Sequence, residues 1–213
     1  MNETLKRTIY GSIYVSVMWV GTSFSNLTFH LLFFIILIMC SYEMWKLRKG
    51  RTKILAFSYV IIPLLLIQLF GITDHHYLNN TFNTNLILFM FILTWTFDTF
   101  AYIIGVKIGK NKIMPSISPK KSWEGFIGGL IFTIIASYFS YRYFDFDSFQ
   151  DPLTISIVLP FTATLGDFIE SHYKREAGVK DSGNIIPGHG GILDRMDAFL
   201  ITIPVMYILI NLL

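Results

Sequence analysis

"LILFMFILTWTFDTFAYIIGV", residues 86 to 106, is an apolar run interrupted by a single carboxylate, Asp98. A helix rising about 1.5 Å per residue needs a run of this length to cross the roughly 30 Å hydrocarbon core of a bilayer. Comparable runs lie at roughly 8–24, 27–45, 54–72, 125–141, 152–170 and 197–213. The 213-residue chain is 53% hydrophobic and 15% charged, whereas a soluble domain is about a quarter charged. These patterns predict an all-α, polytopic integral membrane protein with about seven transmembrane helices. Lys6 and Arg7 precede the first run as they would in a secretory signal, but no small-residue cleavage site follows, so it is expected to be a span. The sole cysteine, Cys40, lies mid-span as a small apolar packing residue, with no disulfide partner in the chain.

Lysine and arginine near span ends collect on the cytoplasmic side. If the spans alternate, every lysine and arginine except Arg142 falls on one side: before the first span and after the second, fourth and sixth. Arg142 stands opposite with Asp145, Asp147 and Asp151. The expected topology has the N-terminus inside and the C-terminus outside. Residues 1–85 read as a three-span scaffold with no ionisable group deep in any span, and 86–213 as the catalytic transmembrane region. His75 and His76, in an outer polar loop without a nearby third ligand, read as solvated side chains. Asn79 to Thr81 fit a glycosylation pattern that matters only in a host with that machinery.

Charge enters the spans after residue 86. A carboxylate within a span costs several kcal/mol unless a partner, a cation or water meets it, which marks Asp98 as a functional candidate; the alternative is a protonated Asp98 in an interhelical hydrogen bond. The loop "GVKIGKNKIMPSISPKKSWEGFIGG", residues 105 to 129, has five lysines, two prolines and no P-loop spacing. Its outer lysines suit an anionic leaflet, and Lys120 and Lys121 precede a helix start where free N–H groups can meet an anion. Asp167, Ser171 and Lys174 share one helical face. In "KDSGNIIPGHGGILDRMD", residues 180 to 197, Gly183, Gly188, Gly190 and Gly191 let main-chain N–H groups approach a ligand. Asp194 and Asp197, one turn apart, would repel each other unless a divalent cation intervened, and oxygen ligands favour Mg²⁺ over zinc. Arg195 and Lys180 supply positive charge for phosphate. The whole describes metal-assisted phosphate chemistry at a cytoplasmic membrane face.

"SHYKREAGVKDSGNIIPGHGGILDRMD" (171–197) resembles the signature of the phosphatidate cytidylyltransferases, the CDP-diacylglycerol synthases. "SPKKSWEGFIGG" (118–129), the Gly-Asp pair at 166–167 and "DTFAY" (98–102) are also similar to motifs of that family, and "LKRTIYGSIY" (5–14) and the glutamate of "SYEMWKL" (41–47) more weakly so. Phe100 stands where the family usually has a small residue, and the chain is shorter than typical members.

The resemblance implies transfer of a cytidylyl group from CTP to phosphatidic acid, giving CDP-diacylglycerol and pyrophosphate for phospholipid synthesis. It implies Mg²⁺, with K⁺ beside it as a further expectation. It assigns Asp167, Asp194 and Asp197 to metal with Asp98 as a supporting carboxylate, Lys174, Arg175, Lys180 and Arg195 to the phosphates, His189 to hydrogen-bonding phosphate or cytosine, and Asp181 to the catalytic set. Ser118, Lys120, Lys121, Ser171, Gly188, Gly190 and Gly191 are assigned to substrate binding. The expected setting is a bacterial inner membrane with the site facing the cytoplasm, membrane lipid around the chain, no nucleic-acid partner, and room for a homodimer.

Two rival readings are weaker. A CDP-alcohol phosphotransferase would need glycine where Ala198 stands, and a transporter using Asp98 and Asp167 would spread its charges through the membrane depth. A serine hydrolase would need a nucleophile elbow that is missing.

Overall fold

The computed structural model describes residues 3–70, 84–144 and 151–212. His75, His76, Asn79 to Thr81, Asp145 and Asp147 lie outside the described residues. The apolar runs form α1 (Glu3–Ser23), α2 (Asn26–Leu47), α3 (Ile54–Phe70), α4 (Asn85–Ile108), α5 (Trp123–Ser140), α6 (Pro152–Glu176) and α7 (Leu193–Leu212), with a 3-10 turn at Tyr141–Tyr143. Among the described residues, four helical stretches are long and apolar enough to cross a membrane: Asn26–Leu47, Asn85–Ile108, Trp123–Tyr143 and Pro152–Glu176. The apolar helix α3 is shorter, at 17 residues. The first two turns of α1 and α7 carry Lys6 and Arg7, and Asp194, Arg195 and Asp197.

Polar residues set the helix starts. The Ser25 hydroxyl accepts the Thr28 N–H at 3.2 Å, and the Thr28 hydroxyl accepts the Ser25 N–H at 3.0 Å, satisfying two orphan donors of α2. Asp151 caps α6 by accepting the Thr154 N–H at 2.8 Å, with Pro152 in a first turn that needs no proline N–H. The interior is aromatic and aliphatic: Phe29 and Phe33 of α2, Phe89 and Phe91 of α4, and Phe199 of α7 are all buried. Leu27, Leu55, Val106 and Phe139 point outward and are exposed. An apolar exterior of this kind suits lipid, where helices satisfy their own backbone groups. The protein is an integral membrane protein with a nearly all-α fold.

Two sequence-based expectations need correction. The lysine-rich loop after α4 is not irregular: it folds into an antiparallel hairpin of β1 (Lys112–Met114) and β2 (Ser118–Ser122), with Lys112 opposite Ser122 and Met114 opposite Ser118. Glu124 fastens its base by accepting the Asn111 N–H at 3.1 Å and the Asn111 side-chain amide at 2.8 Å. The second correction concerns the N-terminal spans, which are not free of buried charge. Glu43 of α2 is 2% exposed.

The charged segments meet at one end of the bundle. Arg48, after α2, pairs with Glu176 at the end of α6; Lys121 of β2 pairs with Asp167 of α6; and the Arg7 stem of α1 lies against Gly188, ahead of α7. At the α6–α7 crossing the backbones touch, and a Cβ at Gly166 would run into the Asp197 carbonyl. The Tyr59 hydroxyl of α3 donates to the Gly166 carbonyl at 2.9 Å and holds that crossing.

Candidate active site

The hairpin and the ends of α4, α5 and α6 enclose a cavity of about 560 Å³. Asp98 and Asp167 reach it from α4 and α6, and Lys112, Ser118, Lys120 and Lys121 from the hairpin. Lys121 donates to Asp167. Burial pushes the Lys121 ammonium down to about 8, against the pull of the Asp197 and Asp98 carboxylates, so it remains mostly protonated at neutral pH. Lys120 is exposed at the mouth and Ser118 is half-buried beside it.

A second cavity of about 230 Å³ lies on the other side of Asp98, lined also by Tyr14, His189, Arg195 and Asp197. Asp98 therefore stands between two chambers. Asp197 is 9% exposed and accepts the Ala198 N–H at 2.8 Å. Among the described residues, neither Asp98 nor Asp197 has a lysine or arginine nitrogen within ion-pair distance.

The aspartates expected to share a metal do not all converge: Asp167 lines the hairpin cavity, while Asp194 and Asp197 line the smaller one with Asp98. Asp194 is already engaged there, taking the Lys174 ammonium at 2.7 Å, the Ser182 N–H at 2.9 Å and the Gly191 N–H at 2.7 Å. Asp167 faces Lys121 instead of Lys174, so the α6 face read from sequence splits between two partners, with Ser171 half-buried between them. Lys174 also pairs with Glu170 at 2.5 Å, four residues earlier, and Glu170 is fully buried. Among the described residues no three or more of His, Cys, Asp and Glu are grouped to hold a metal ion.

The glycine loop is held from outside itself. Glu43 accepts the Ser182 hydroxyl at 2.8 Å, the Ile192 N–H at 3.1 Å and the Leu193 N–H at 2.8 Å. Gly190 adopts φ of +86°, a conformation side chains resist, and closes a bridge in which the Ile186 N–H donates to its carbonyl at 2.9 Å. Arg195 donates to the His189 carbonyl at 2.9 Å. The Nδ1 of His189 and the Nε of Arg195 are buried without a hydrogen-bond partner among the described residues. Burial, then the Arg195 and Arg7 cations, push the His189 imidazole below its ordinary value, leaving it a neutral hydrogen-bonding group at neutral pH. Arg175 donates to the Val179 carbonyl at 2.9 Å and the Ile117 carbonyl at 3.4 Å, tying α6 to the hairpin turn. Lys180, Asp181 and Gly188 are exposed on the loop, and Gly191 is buried against Glu43.

Sequence reasoning missed Glu170 and Tyr59, and it reached Glu43 only through the weak N-terminal resemblance, with no role attached. The rule that singled out Asp98 also marks Glu43, the one carboxylate of α2. Nothing local marks Tyr59.

Residues 48–213 match the model of the Cytidylyltransferase family. The chain belongs to this family. Over 125 residues it is 49% identical to the phosphatidate cytidylyltransferase of Staphylococcus saprophyticus and 48% identical to that of Staphylococcus haemolyticus. The Staphylococcus aureus strain COL enzyme of the same name is 46% identical over the same length. Each alignment covers 58% of this chain and 48% of the relative, so the chain spans about half the length of the curated relatives it matches. α1 and α2, Glu43 included, lie outside the family match.

Proposed function

We propose that the protein transfers the cytidylyl group of CTP to phosphatidate, forming CDP-diacylglycerol and pyrophosphate. The observation that carries this reading is the hairpin: it brings Lys112, Lys120 and Lys121 over a cavity whose wall is the buried Asp98. The relatives' names support the same chemistry.

The nucleophile is the lipid's own phosphate, a phosphomonoester with a second pKa of about 6, so it is already dianionic at neutral pH and no side chain need act as base. One of its oxygens bonds to the α-phosphorus of CTP. The bond from that phosphorus to the β-bridging oxygen breaks, and pyrophosphate leaves with the electron pair. The protein's task is to bring two polyanions together in line and stabilise the departing charge. In this reading the hairpin lysines bind the triphosphate, and Arg195 with His189 faces the lipid phosphate. Lys174, itself paired with Glu170, holds Asp194, which holds the glycine loop. Asp98 and Asp197 fit a hard divalent cation, because they are oxygen donors at one cavity with no cationic side chain paired to them. Bound there, Mg²⁺ would neutralise phosphate charge; K⁺ beside it would be a second oxygen-bound cation. Asp167 can join once substrate draws Lys121 away.

The convergence of the charged loops at one bundle end supports a seven-span arrangement in a bacterial plasma membrane with the site cytoplasmic. In a Cys40→Ala background, Lys110→Cys and Gly178→Cys should react with an impermeant thiol reagent only from the cytosolic side; labelling from outside would overturn that orientation.

The direct test incubates purified protein with phosphatidate, Mg²⁺ and CTP labelled at the α-phosphate, then extracts lipid. Label in the chloroform phase is expected, with its loss in EDTA and return with added Mg²⁺. No lipid label alongside an active control enzyme would sink the reading, and full activity in thorough chelator would remove the metal.

A further inference from the structure

The small cavity behind Asp98 does not end at the protein interior. Past Gly11, Val15 and His189 it continues into an open groove of about 550 Å³ along α1, lined by Arg7, Thr8, Ser12 and Ser16. The groove starts on the outer surface of the bundle and leads to Asp98 and Asp197. The outer surface of α1 is otherwise apolar, with Leu5, Ile9, Ile13, Val17 and Val20 all exposed. Thr8, Ser12 and Ser16, spaced four residues apart, form a row of hydroxyls across that lipid-facing surface.

Hydroxyls in hydrocarbon need acceptors. The usual solution is a bond back to the carbonyl four residues earlier, made here by Ser58, Thr94, Thr133 and Ser140. Ser12 and Ser16 make no such bond among the described residues, so their donors are open to a molecule in the groove. Above them is cationic chemistry. The Arg7 stem lies over Gly188, and Gly11 leaves room for the His189 ring, which a Cβ would approach to 3.3 Å. The buried, unpartnered Nδ1 of His189 belongs to the same wall. From the membrane inward the groove offers hydroxyl donors without strong acceptors, then a guanidinium and an imidazole, then the Asp98–Asp197 seam.

A diacyl phosphate monoester matches that order: ester oxygens that only accept hydrogen bonds, below a dianionic head suited to an arginine fork. A nucleoside triphosphate does not, since it carries more charge and no ester-linked chains, and the three-lysine cavity across Asp98 suits it better. We propose that the α1 groove and the cavity behind it seat the lipid substrate, with its phosphate on Arg7 and His189 and its ester oxygens on Ser12 and Ser16, while CTP occupies the hairpin cavity. The proposal rests on the cytidylyltransferase reading above and divides that site between its two substrates.

Two measurements on the full chain in mixed micelles test it. Arg7→Gln should raise the KM for phosphatidate about tenfold, the scale of one lost charge-assisted hydrogen bond, and leave the KM for CTP within about twofold. Lys120→Ala should do the reverse. The second measurement needs no turnover: in a Cys40→Ala background, Ser12→Cys should be alkylated by a maleimide at a rate that phosphatidate slows at least about fivefold, a protection too large for a weakly occupied groove. Diacylglycerol, lacking the phosphate, and glycerol 3-phosphate or inorganic phosphate, lacking the acyl esters, should protect far less. Ser12 is exposed, so the substitution disturbs no packing. Protection by phosphatidate in a protein that forms no CDP-diacylglycerol would keep the groove and discard the reaction. Equal protection by glycerol 3-phosphate, no protection by phosphatidate, or an Arg7→Gln effect on CTP alone would each overturn the lipid seat.

Discussion

Asp98→Asn and Asp197→Asn are each expected to lower turnover by at least about 100-fold, the scale lost when one strong transition-state electrostatic contact is removed. Both substitutions keep the side-chain volume and remove the charge. The two carboxylates line one cavity and have no lysine or arginine at ion-pair distance among the described residues. Removing one charge should therefore relieve repulsion in the resting protein, and neither variant should lose membrane abundance. The accompanying signature is a higher Mg²⁺ concentration for half-maximal rate, because a hard cation loses an anionic ligand. Asp194→Asn should behave differently. Its carboxylate is engaged by Lys174, Ser182 and Gly191, so the variant should lose activity by loosening the loop, with its Mg²⁺ requirement unchanged. Asp151→Asn is the matched control: asparagine also caps a helix, and the charge lies at the start of α6, far beyond the Debye length of about 8 Å from the site. Its rate should stay within about twofold. Near-normal rates for Asp197→Asn at equal abundance would make that carboxylate structural, and an Mg²⁺ shift in Asp194→Asn would return it to the metal.

The contrast between Asp194 and Asp197 shows where the sequence stops being informative. Helix positions were legible because hydrophobic run length is one-dimensional, and α2, α4 and α6 begin within a residue or so of the expected spans. The spacing of Asp194 and Asp197 was legible as well. Their separate fates were not, because those depend on Lys174 from another helix claiming one carboxylate, and on α6 touching the backbone at Asp197 and burying the other. The hairpin was hidden for a different reason. Its strands are short, lysine-rich and largely exposed, with none of the apolar alternation by which a strand is recognised, and the Asn111–Glu124 clamp that closes it carries no local sequence signal. Lys121 could be singled out from sequence as a candidate substrate-side cation, yet its pairing with Asp167 required the fold. Glu43 was marked in the sequence only by a weak resemblance, because at a span end next to a basic loop a carboxylate looks interfacial, and its three acceptor contacts come from a segment 139 to 150 residues away.

Glu43→Ala is expected to free the glycine loop while leaving the bundle assembled. The carboxylate accepts from the Ser182 hydroxyl and from the N–H groups of Ile192 and Leu193, and its removal strands donors that are buried or partly buried. Leaving one such donor unsatisfied costs about 1–3 kcal/mol. Water entering the vacated space would recover part of the sum, so a loss of about 3 kcal/mol in the local closing free energy is a reasonable expectation. At 1.4 kcal/mol per tenfold, peptides spanning 182–193 should exchange amide hydrogens about 100-fold faster, while peptides within α4 and α5 stay unchanged. The loop carries His189 and leads into Arg195, which the proposed mechanism sets against the lipid phosphate, so turnover should fall with it. Glu43→Gln separates the two ways the carboxylate can act. Its amide oxygen still accepts, but its NH₂ cannot, and Gly183 and Gly191 leave no room for it to turn away, since a Cβ at either would already meet Glu43. Gln should thus restore part of the protection and part of the rate together. If Glu43→Ala left exchange over 182–193 unchanged, the hydrogen bonds would not be what closes the loop; if exchange rose 100-fold with turnover intact, the closed loop would not be what the reaction requires.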